Sequence, residues 1–255
     1  MLKLLNKPSL PENKVDTVIM SGENIQFVEL LKSEYKLKVI TNEPNLSLTD
    51  DISSHADCTF LHLDNNTVIV DKENVNIVNY LTIGEADNNI IIGYSEGEIK
   101  SPYPNDVRLN ARVISDKIIC NTKYIDNTVI QFAQEHSYKL IHVNQGYSAC
   151  STVIINDNAL ITDDESIYKS SAINGIDSLL ISKGSVKLKG REYGFIGGTC
   201  GMIDKNLLAF TGCLDSHNDS ESIKVFLNKY NVNYIELSKE PLIDVGGIIP
   251  VFEHI

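Results

Sequence analysis

A short pattern of strand, tight polar turn, strand, helix and strand recurs along this chain, and such a repeat restricts the possible folds more than any composition does. The clearest copy covers residues 150–182. Its two apolar strands flank a turn at Asp157, Asp163 or Asp164 then caps an amphipathic helix, and Gly175 ends that helix. A final short strand completes a ββαβ unit.

Three further copies of the unit are recognisable by their polar turns, which lie at Asn65, Asp116 and Lys205. With the turn at Asp157 included, successive turns are 51, 41 and 48 residues apart, a spacing regular enough to indicate a repeat. The four predicted units cover residues 56–93, 107–144, 150–182 and 194–237.

The two ends of the chain supply the parts of a fifth unit. Residues 244–255 contain a first strand without a successor, and residues 15–41 contain a second strand without a predecessor, followed by a helix and a third strand. Pairing of these terminal strands would complete the unit and leave no open repeat face. We therefore predict one α/β domain over residues 1–255, a propeller with five-fold pseudosymmetry closed by pairing of the N- and C-terminal strands.

An ordinary α/β domain with alternating strands and helices is the alternative fold. A doubly wound sheet places a helix between every pair of neighbouring strands, whereas tight polar turns between short strands indicate hairpins. Each of the four continuous units contains one such turn, and this favours the ring.

Composition excludes several classes of partner. The formal net charge is -12, and such an acidic surface repels nucleic acid phosphates and anionic membranes. No apolar run approaches the roughly 20 residues of a membrane span, and we recognise no signal peptide. The five cysteines are an odd number without a CxxC motif, which predicts free thiols in the cytoplasm. No motif indicates a cofactor, so we predict none.

One acidic segment, residues 215–219, has the composition of a metal-binding loop. It directly precedes a helix predicted to begin at Glu221, so we interpret Asp219 or Ser220 as the helix N-cap. The predicted metal content is accordingly none.

Six stretches resemble an uncharacterised bacterial family of the pentein, or guanidino-modifying, fold. They are His55-Ala56-Asp57, Tyr103-Pro104-Asn105-Asp106, 146–152 (GYSACST), 194–201 (GFIGGTCG), Phe210-Thr211-Gly212 and 244–250 (DVGGIIP). The pentein fold includes arginine and agmatine deiminases, dimethylarginine hydrolases and amidinotransferases. The resemblance implies the same ring of five units, and in the enzymes a cysteine nucleophile near the carboxyl terminus, a histidine acid/base and carboxylates that bind guanidinium.

The chain departs from the enzymes at these functional positions. Gly197 and Gly198 resemble the enzymes' Glu-Gly-Gly-Asp segment, but Ile196 and Thr199 stand where the carboxylates are expected. The C-terminal stretch 244–250 contains no cysteine. The family's thiol attack is therefore not transferred to this chain, which either catalyses a different reaction or none.

Three cysteines are candidates for the centre of the ring. Cys58 and Cys150 each lie seven residues before the turn of their unit, and Cys200 lies five residues before its turn. The even difference keeps all three on the same face of their first strands. They could equally be small buried apolar residues, the common role of a free cysteine.

Four polar residues complete the predicted site. His55 and Asp57 are two residues apart, so on an extended segment they point the same way, and the carboxylate could hold the imidazole as a base. A solvated loop with Asp57 bonded to local backbone is the alternative. Arg112 and Asp244 are predicted to begin first strands, where they could form a channel ion pair or a ligand clamp. The alternative is a structural salt bridge between units.

We therefore predict a protein that binds a small molecule in its central channel. If it is an enzyme, Cys150 or Cys200 is the nucleophile and His55 the base, acting as a hydrolase or transferase on an amidino or amide carbon. Asp57, Arg112, Asp244 and Cys58 are the predicted ligand-binding residues. The alternative is a non-catalytic interaction module that keeps the ring.

Overall fold

The computed structural model describes residues 2–83 and 90–254, and in these parts the strands form five small sheets. The N-terminal segment contributes three strands and a helix: β1 (Leu2–Leu4), β2 (Val15–Ser21), α1 (Ile25–Ser33) and β3 (Lys38–Asn42). The first predicted repeat follows as a short helix α2 (Ala56–Thr59), β4 (Phe60–His62), β5 (Thr67–Val70), α3 (Val75–Ile83) and β6 (Ile91–Tyr94).

The next three repeats have the same order of elements. The second contains β7 (Arg112–Ile114), β8 (Lys117–Cys120), α4 (Asn127–Glu135) and β9 (Lys139–His142). The third contains β10 (Thr152–Asn156), β11 (Ala159–Thr162), α5 (Glu165–Ile173) and β12 (Asp177–Leu180). The fourth contains β13 (Cys200–Asp204), β14 (Leu207–Phe210), α6 (Ser220–Lys229) and β15 (Asn233–Glu236), and β16 (Ile249–His254) ends the chain.

Within each of these four repeats the first two strands form an antiparallel hairpin, and the third strand pairs in parallel with the second after a helical crossover. The hairpin follows from the tight polar turn, while the helix supplies the long connection that a parallel pair requires. This is the predicted ββαβ unit.

The fifth sheet joins the two ends of the chain. β16 pairs antiparallel with β2, with Ile249 opposite Ile19, and β2 pairs in parallel with β3. The prediction that terminal strands complete one unit is confirmed. β1, which the repeat pattern did not predict, pairs with the other edge of β16 and covers it.

The hydrophobic core runs around the ring as five clusters, each shared by two consecutive units. In one cluster Val68 of the first unit packs with Phe252 of the fifth, and in another Ala209 of the fourth unit packs with Val18 of the fifth. The other three clusters join the first to the second, the second to the third and the third to the fourth unit. Because the series returns to its start, the predicted five-fold α/β propeller is confirmed.

The N-caps of α5 and α6 can be compared with the sequence prediction. The Asp164 side chain accepts hydrogen bonds from the Ser166 and Ile167 amides and caps α5, as predicted. Asp219 occupies the N-cap position of α6, as predicted, although its carboxylate accepts hydrogen bonds from Ser182 and not from the helix amides.

The C-terminal strand begins later than predicted, at Ile249 rather than Asp244. Gly246 and Gly247 have φ of +73° and +84°, values that favour glycine and interrupt an extended strand. Asp244 is thus placed in a loop ahead of the strand. Among the described residues, no helix has both the length and the apolar character needed to cross a lipid bilayer.

Candidate functional site

Loops that lead into the first strands of several units enclose a pocket of about 250 Å³. His55 comes from the loop before β4, Cys150 from the loop before β10, Phe195 from the segment before β13, and Asp244 from the loop before β16. The remaining lining residues are Asp51, Ile52, Tyr147, Leu188, Arg191, Glu192 and Tyr193. The ring therefore brings together three of the predicted site residues, His55, Cys150 and Asp244.

The buried pair of His55 and Asp244 lies in the wall of this pocket. Nδ1 of His55 is 3.8 Å from Oδ1 of Asp244, and the Asp244 side chain is 1% exposed. Oδ2 of Asp244 accepts a hydrogen bond from the Phe195 amide at 2.9 Å, and Oδ1 accepts one from the Gly246 amide at 3.0 Å. Burial raises the pKa of Asp244, the His55 side chain opposes the rise, and the negative charge of Asp57 adds to it.

Two glycines make this arrangement possible. A Cβ on Gly198 would lie 1.8 Å from Oδ1 of Asp244, and a Cβ on Gly246 would lie 2.5 Å from the Cα of His55. Any side chain at these positions would displace the carboxylate or the imidazole. The glycine pairs recognised in the sequence therefore allow backbone and side chains of different units to approach closely.

Asn110 holds the Cys150 loop against the first unit. Its Nδ2 donates to the Asp57 carbonyl at 3.1 Å and to the Cys150 sulfur at 3.2 Å, and its Oδ1 accepts from the Ala149 amide at 2.7 Å. Sequence reasoning missed this residue. Its position two residues before Arg112, where the second unit begins, was the available signal.

The Cys150 thiol is surrounded by groups that keep it protonated. Burial raises its pKa well above the ordinary value, and the neighbouring Cys58 thiol and the charge of Asp57 add to the rise. A thiol in such surroundings is a poor nucleophile in the unliganded protein.

Asp57 and Cys58 lie behind the pocket in α2 and do not line it. The prediction that His55 and Asp57 share one side of an extended segment is wrong, because residues 56–59 form a helical turn. His55 faces Asp244 instead. Oδ2 of Asp57 is buried and has no hydrogen-bond partner among the described residues.

Arg112 and Cys200 lie apart from this pocket. Nε of Arg112 donates to the carbonyls of Ala149 and Thr152, both at 3.1 Å, and the described parts of the chain contain no ion pair between Arg112 and Asp244. The predicted channel ion pair is therefore wrong, because the guanidinium is taken up by backbone carbonyls of the neighbouring unit. Burial raises the pKa of Cys200 to about 12.

A space of about 20 Å³ lies beside Arg112 and Cys200 and is bordered by β10, β13 and β16. Such a volume holds roughly one water molecule. A small-molecule ligand does not fit in this space, so we take the larger pocket formed by the loops as the candidate site.

Aromatic rings form one wall of the larger pocket. Tyr147 stacks on Phe195 with their centroids 5.9 Å apart, and Tyr193 packs edge-on against Phe195 at 6.0 Å. The Tyr147 hydroxyl donates to Asp106 at 2.7 Å. At the rim, Arg191 donates to Asp51 at 2.5 Å. No sequence signal distinguished Arg191 or Tyr193.

The positions that carry carboxylates in the pentein enzymes are apolar or internally bonded here. Ile196 and Thr199 are both buried, and the Thr199 hydroxyl donates to the Ile196 carbonyl at 2.7 Å. The carboxylate that approaches the glycine pair is that of Asp244, from another unit. Across residues 2–83 and 90–254, no three His, Cys, Asp or Glu side chains are placed to hold a metal ion.

Comparison with known proteins places the chain in a family. A family described as "Family of unknown function (DUF6873)" matches residues 19–249. The chain belongs to this family. A search of curated proteins found no match to it.

Solved structures with the same fold modify amidino groups. An agmatine deiminase from C. jejuni is 13% identical with a TM-score of 0.53, covering 93% of this chain and 91% of that one. An amidinotransferase from Microseira wollei, of the saxitoxin biosynthetic pathway, is 10% identical with a TM-score of 0.56, covering 92% of each chain. DDAH from Pseudomonas aeruginosa is 7% identical with a TM-score of 0.54, covering 88% and 92%. At these identities the likeness shows the fold alone, and the predicted pentein fold is confirmed.

Proposed function

We propose that the pocket between the loops binds a small molecule with a positively charged amidino or amine group. The observation that carries this proposal is the buried Asp244 carboxylate in the pocket wall, next to His55 and Cys150. We further propose that the protein works in the cytoplasm, which the free state of all five cysteines supports.

The electrostatics of the pocket favour a cation. Burial and the charge of Asp57 both disfavour the ionised form of Asp244, so a positive ligand group would relieve an existing cost. The faces of Tyr147, Tyr193 and Phe195 add the attraction of aromatic rings for cations. The solved relatives named as deiminase and amidinotransferase make an amidino group the first candidate.

The size of the pocket limits the ligand. Its 250 Å³ lies below the roughly 300–1,000 Å³ of pockets for drug-sized molecules. The expected ligand is therefore a metabolite with one cationic group that reaches Asp244, and a short tail that extends toward Arg191 at the rim.

The pocket also contains the groups for a thiol-dependent hydrolase or transferase. A cation beside Cys150 would lower the pKa of its thiol, and His55 would accept the released proton. The sulfur would bond to the amidino carbon, and the departing amine would take that proton. Water, or an acceptor amine, would then attack the same carbon and release the thiol. A non-catalytic binding role uses the same pocket without these steps.

Calorimetric titration with guanidino and amino compounds tests the binding. We expect saturable binding to the native protein and a loss of affinity of about tenfold or more in Asp244→Asn, equivalent to at least ~1.4 kcal/mol. Tyr193→Leu, at the half-buried rim, should weaken binding several-fold without risk to the fold. The exposed Glu165→Gln serves as the matched charge control and should bind like the native protein.

If no compound of either class binds, the proposal fails and the non-catalytic interaction module becomes the better interpretation. Equal weakening by Asp244→Asn and Glu165→Gln would also refute it, because the attraction would then come from the overall acidic charge.

Alkylation kinetics test the state of the Cys150 thiol. At pH 7.5 without ligand we expect iodoacetamide to modify the partly exposed Cys213 first and Cys150 slowly, because burial raises the pKa of Cys150. Asp57→Asn should accelerate modification of Cys150 by removing a negative charge that raises this pKa. Mass spectrometry of the peptides measures both rates. Rapid modification of Cys150 in the native protein would contradict the protonated resting thiol.

Measurement of turnover distinguishes a catalytic role of the pocket from a role in binding alone. A catalytic protein releases ammonia or an amine from a bound amidino compound, and Cys150→Ser abolishes this release while binding persists. A ligand that binds to saturation without any product rules out the thiol-dependent reaction and leaves the binding role.

A further inference from the structure

A second and larger cavity, of about 510 Å³, lies on the first unit. We call it the outer pocket. Its walls are the segment 43–47 after β3, the residues 71–76 between β5 and the first turn of α3, and Glu98 with Ile99. It shares no lining residue with the pocket around Asp244. A ligand in one would therefore not occupy the other.

The outer pocket is strongly acidic. Glu43, Asp71, Glu73 and Glu98 line it, against one basic side chain, Lys72. Asp71 is 2% exposed, and its Oδ2 accepts a hydrogen bond from Nδ2 of Asn45 at 2.9 Å. A buried carboxylate beside three further acidic side chains is costly unless positive charge approaches it.

The side-chain oxygen of Asn74 independently indicates a missing hydrogen-bond donor. It lines the outer pocket, is 7% exposed, and donates from Nδ2 to the Thr59 hydroxyl at 3.1 Å and to the side-chain oxygen of Asn42. Its own Oδ1 is buried and accepts no hydrogen bond from the described residues. Buried acceptors are nearly always paired, so this one calls for an N–H or O–H donor.

The lining is therefore complementary to one chemical class. Acidic side chains select a cation, and the unpaired acceptor of Asn74 selects a hydrogen-bond donor. Leu46 and Val75, both exposed large apolar residues at the wall, offer contact to a short hydrocarbon chain.

We propose that the outer pocket is a second ligand site, which binds a small aliphatic amine with two or more N–H donors through Asp71, Asn74 and the surrounding carboxylates. The site is separate from the pocket proposed for the main function. It stands whether or not that pocket binds a cation.

Titration with putrescine and spermidine, followed by calorimetry and by amide NMR shifts, tests this site. We expect saturable binding with shifts in residues 43–47 and 71–76. The double variant Glu73→Gln and Glu98→Gln changes two exposed side chains and should lower affinity roughly tenfold, since it removes two negative charges that attract the amine.

Three controls show whether the amine binds in the outer pocket. Glu29→Gln with Glu165→Gln removes the same charge from exposed helices elsewhere and should leave affinity unchanged. Asp244→Asn removes the other candidate site and should leave the shifts at 43–47 and 71–76 intact. The neutral 1,4-butanediol should not bind.

Several outcomes would overturn the proposal. They are absence of saturable binding, equal loss in the two double variants, loss of these shifts in Asp244→Asn alone, and binding of the diol as tight as that of the diamine. Failure of the main function alone, with amine binding retained in Asp244→Asn, leaves the outer pocket standing.

Discussion

Replacing Asp163 with asparagine should stabilise the protein at pH 8 and change its stability little at pH 4. Asp163 follows β11 and is 5% exposed, and burial raises its pKa to about 7. Oδ2 accepts a hydrogen bond from the Ile196 amide at 3.1 Å, while Oδ1 has no hydrogen-bond partner among residues 2–83 and 90–254. The folded chain therefore holds a proton on this carboxyl that the unfolded chain releases at a much lower pH.

The sign of the effect follows from proton binding. Below pH 3.8, the ordinary pKa of an aspartate, Asp163 is protonated in both the folded and the unfolded chain. In that range it does not make the free energy of unfolding depend on pH. As the pH rises toward 7, the unfolded chain loses the proton first, so the free energy of unfolding falls. A difference of about three pH units corresponds to at most ~4 kcal/mol, and structural relaxation reduces this to about half.

Asparagine removes the titration and keeps the contact. Its oxygen can still accept from the Ile196 amide, and its amide can donate to the hydroxyl of Ser151, which also has no hydrogen-bond partner in the described part of the chain. Urea unfolding at pH 4, 6 and 8 measures the difference between variant and native protein. The exposed Asp50→Asn is the control and should show no such trend. A difference that stays constant across this range would contradict the buried, protonated state of Asp163.

The fold could be predicted because its signals are local and repeated. A polar turn between two apolar strands, followed by an amphipathic helix, determines each hairpin and its parallel third strand without knowledge of distant contacts. The partial units at the two ends of the chain could be completed only by pairing with each other. β1 was missed since Leu2–Leu4 form three residues without a turn, and only their pairing with residues 252–254 makes them a strand.

The site was predictable only in outline. The predicted residues His55, Cys150 and Asp244 line one pocket because each lies shortly before a first strand, and the loops before the first strands of four units converge there. Which side chains then touch depends on the packing of neighbouring units, which periodicity does not report. Asp57 lies outside the pocket because residues 56–59 form a helical turn. Asn110 was marked only by its position two residues before Arg112, and Arg191 lies in a segment without any sequence signal.

Arg112 shows most clearly that the sequence pattern does not predict contacts between units. We expect its replacement to be among the most destabilising in the chain. The sequence allowed an ion pair with Asp244, but Nε of Arg112 instead binds the carbonyls of Ala149 and Thr152, and Nη2 lies 3.5 Å from the carbonyl of Gly197. One side chain of the second unit thus ties together the segments that precede the third and fourth first strands, including the loop that carries Cys150.

Arg112→Ala should lower the free energy of unfolding by about 3 kcal/mol, because hydrogen bonds from a charged donor contribute ~1.5–3 kcal/mol each and their loss leaves carbonyls without donors. Arg191→Ala is the matched control. Arg191 is about half exposed and pairs with Asp51 at the pocket rim, so its loss should cost no more than ~1 kcal/mol. Chemical unfolding at pH 7 measures both.

Arg112→Lys sharpens the comparison, since an ammonium keeps the charge but cannot reproduce the planar donor geometry of the guanidinium. We expect it to recover less than half of the loss. Equal stability of the alanine variants of Arg112 and Arg191 would mean that these carbonyl contacts do not hold the units together. Full recovery by lysine would mean that the positive charge alone, and not the donor geometry of the guanidinium, holds these segments together.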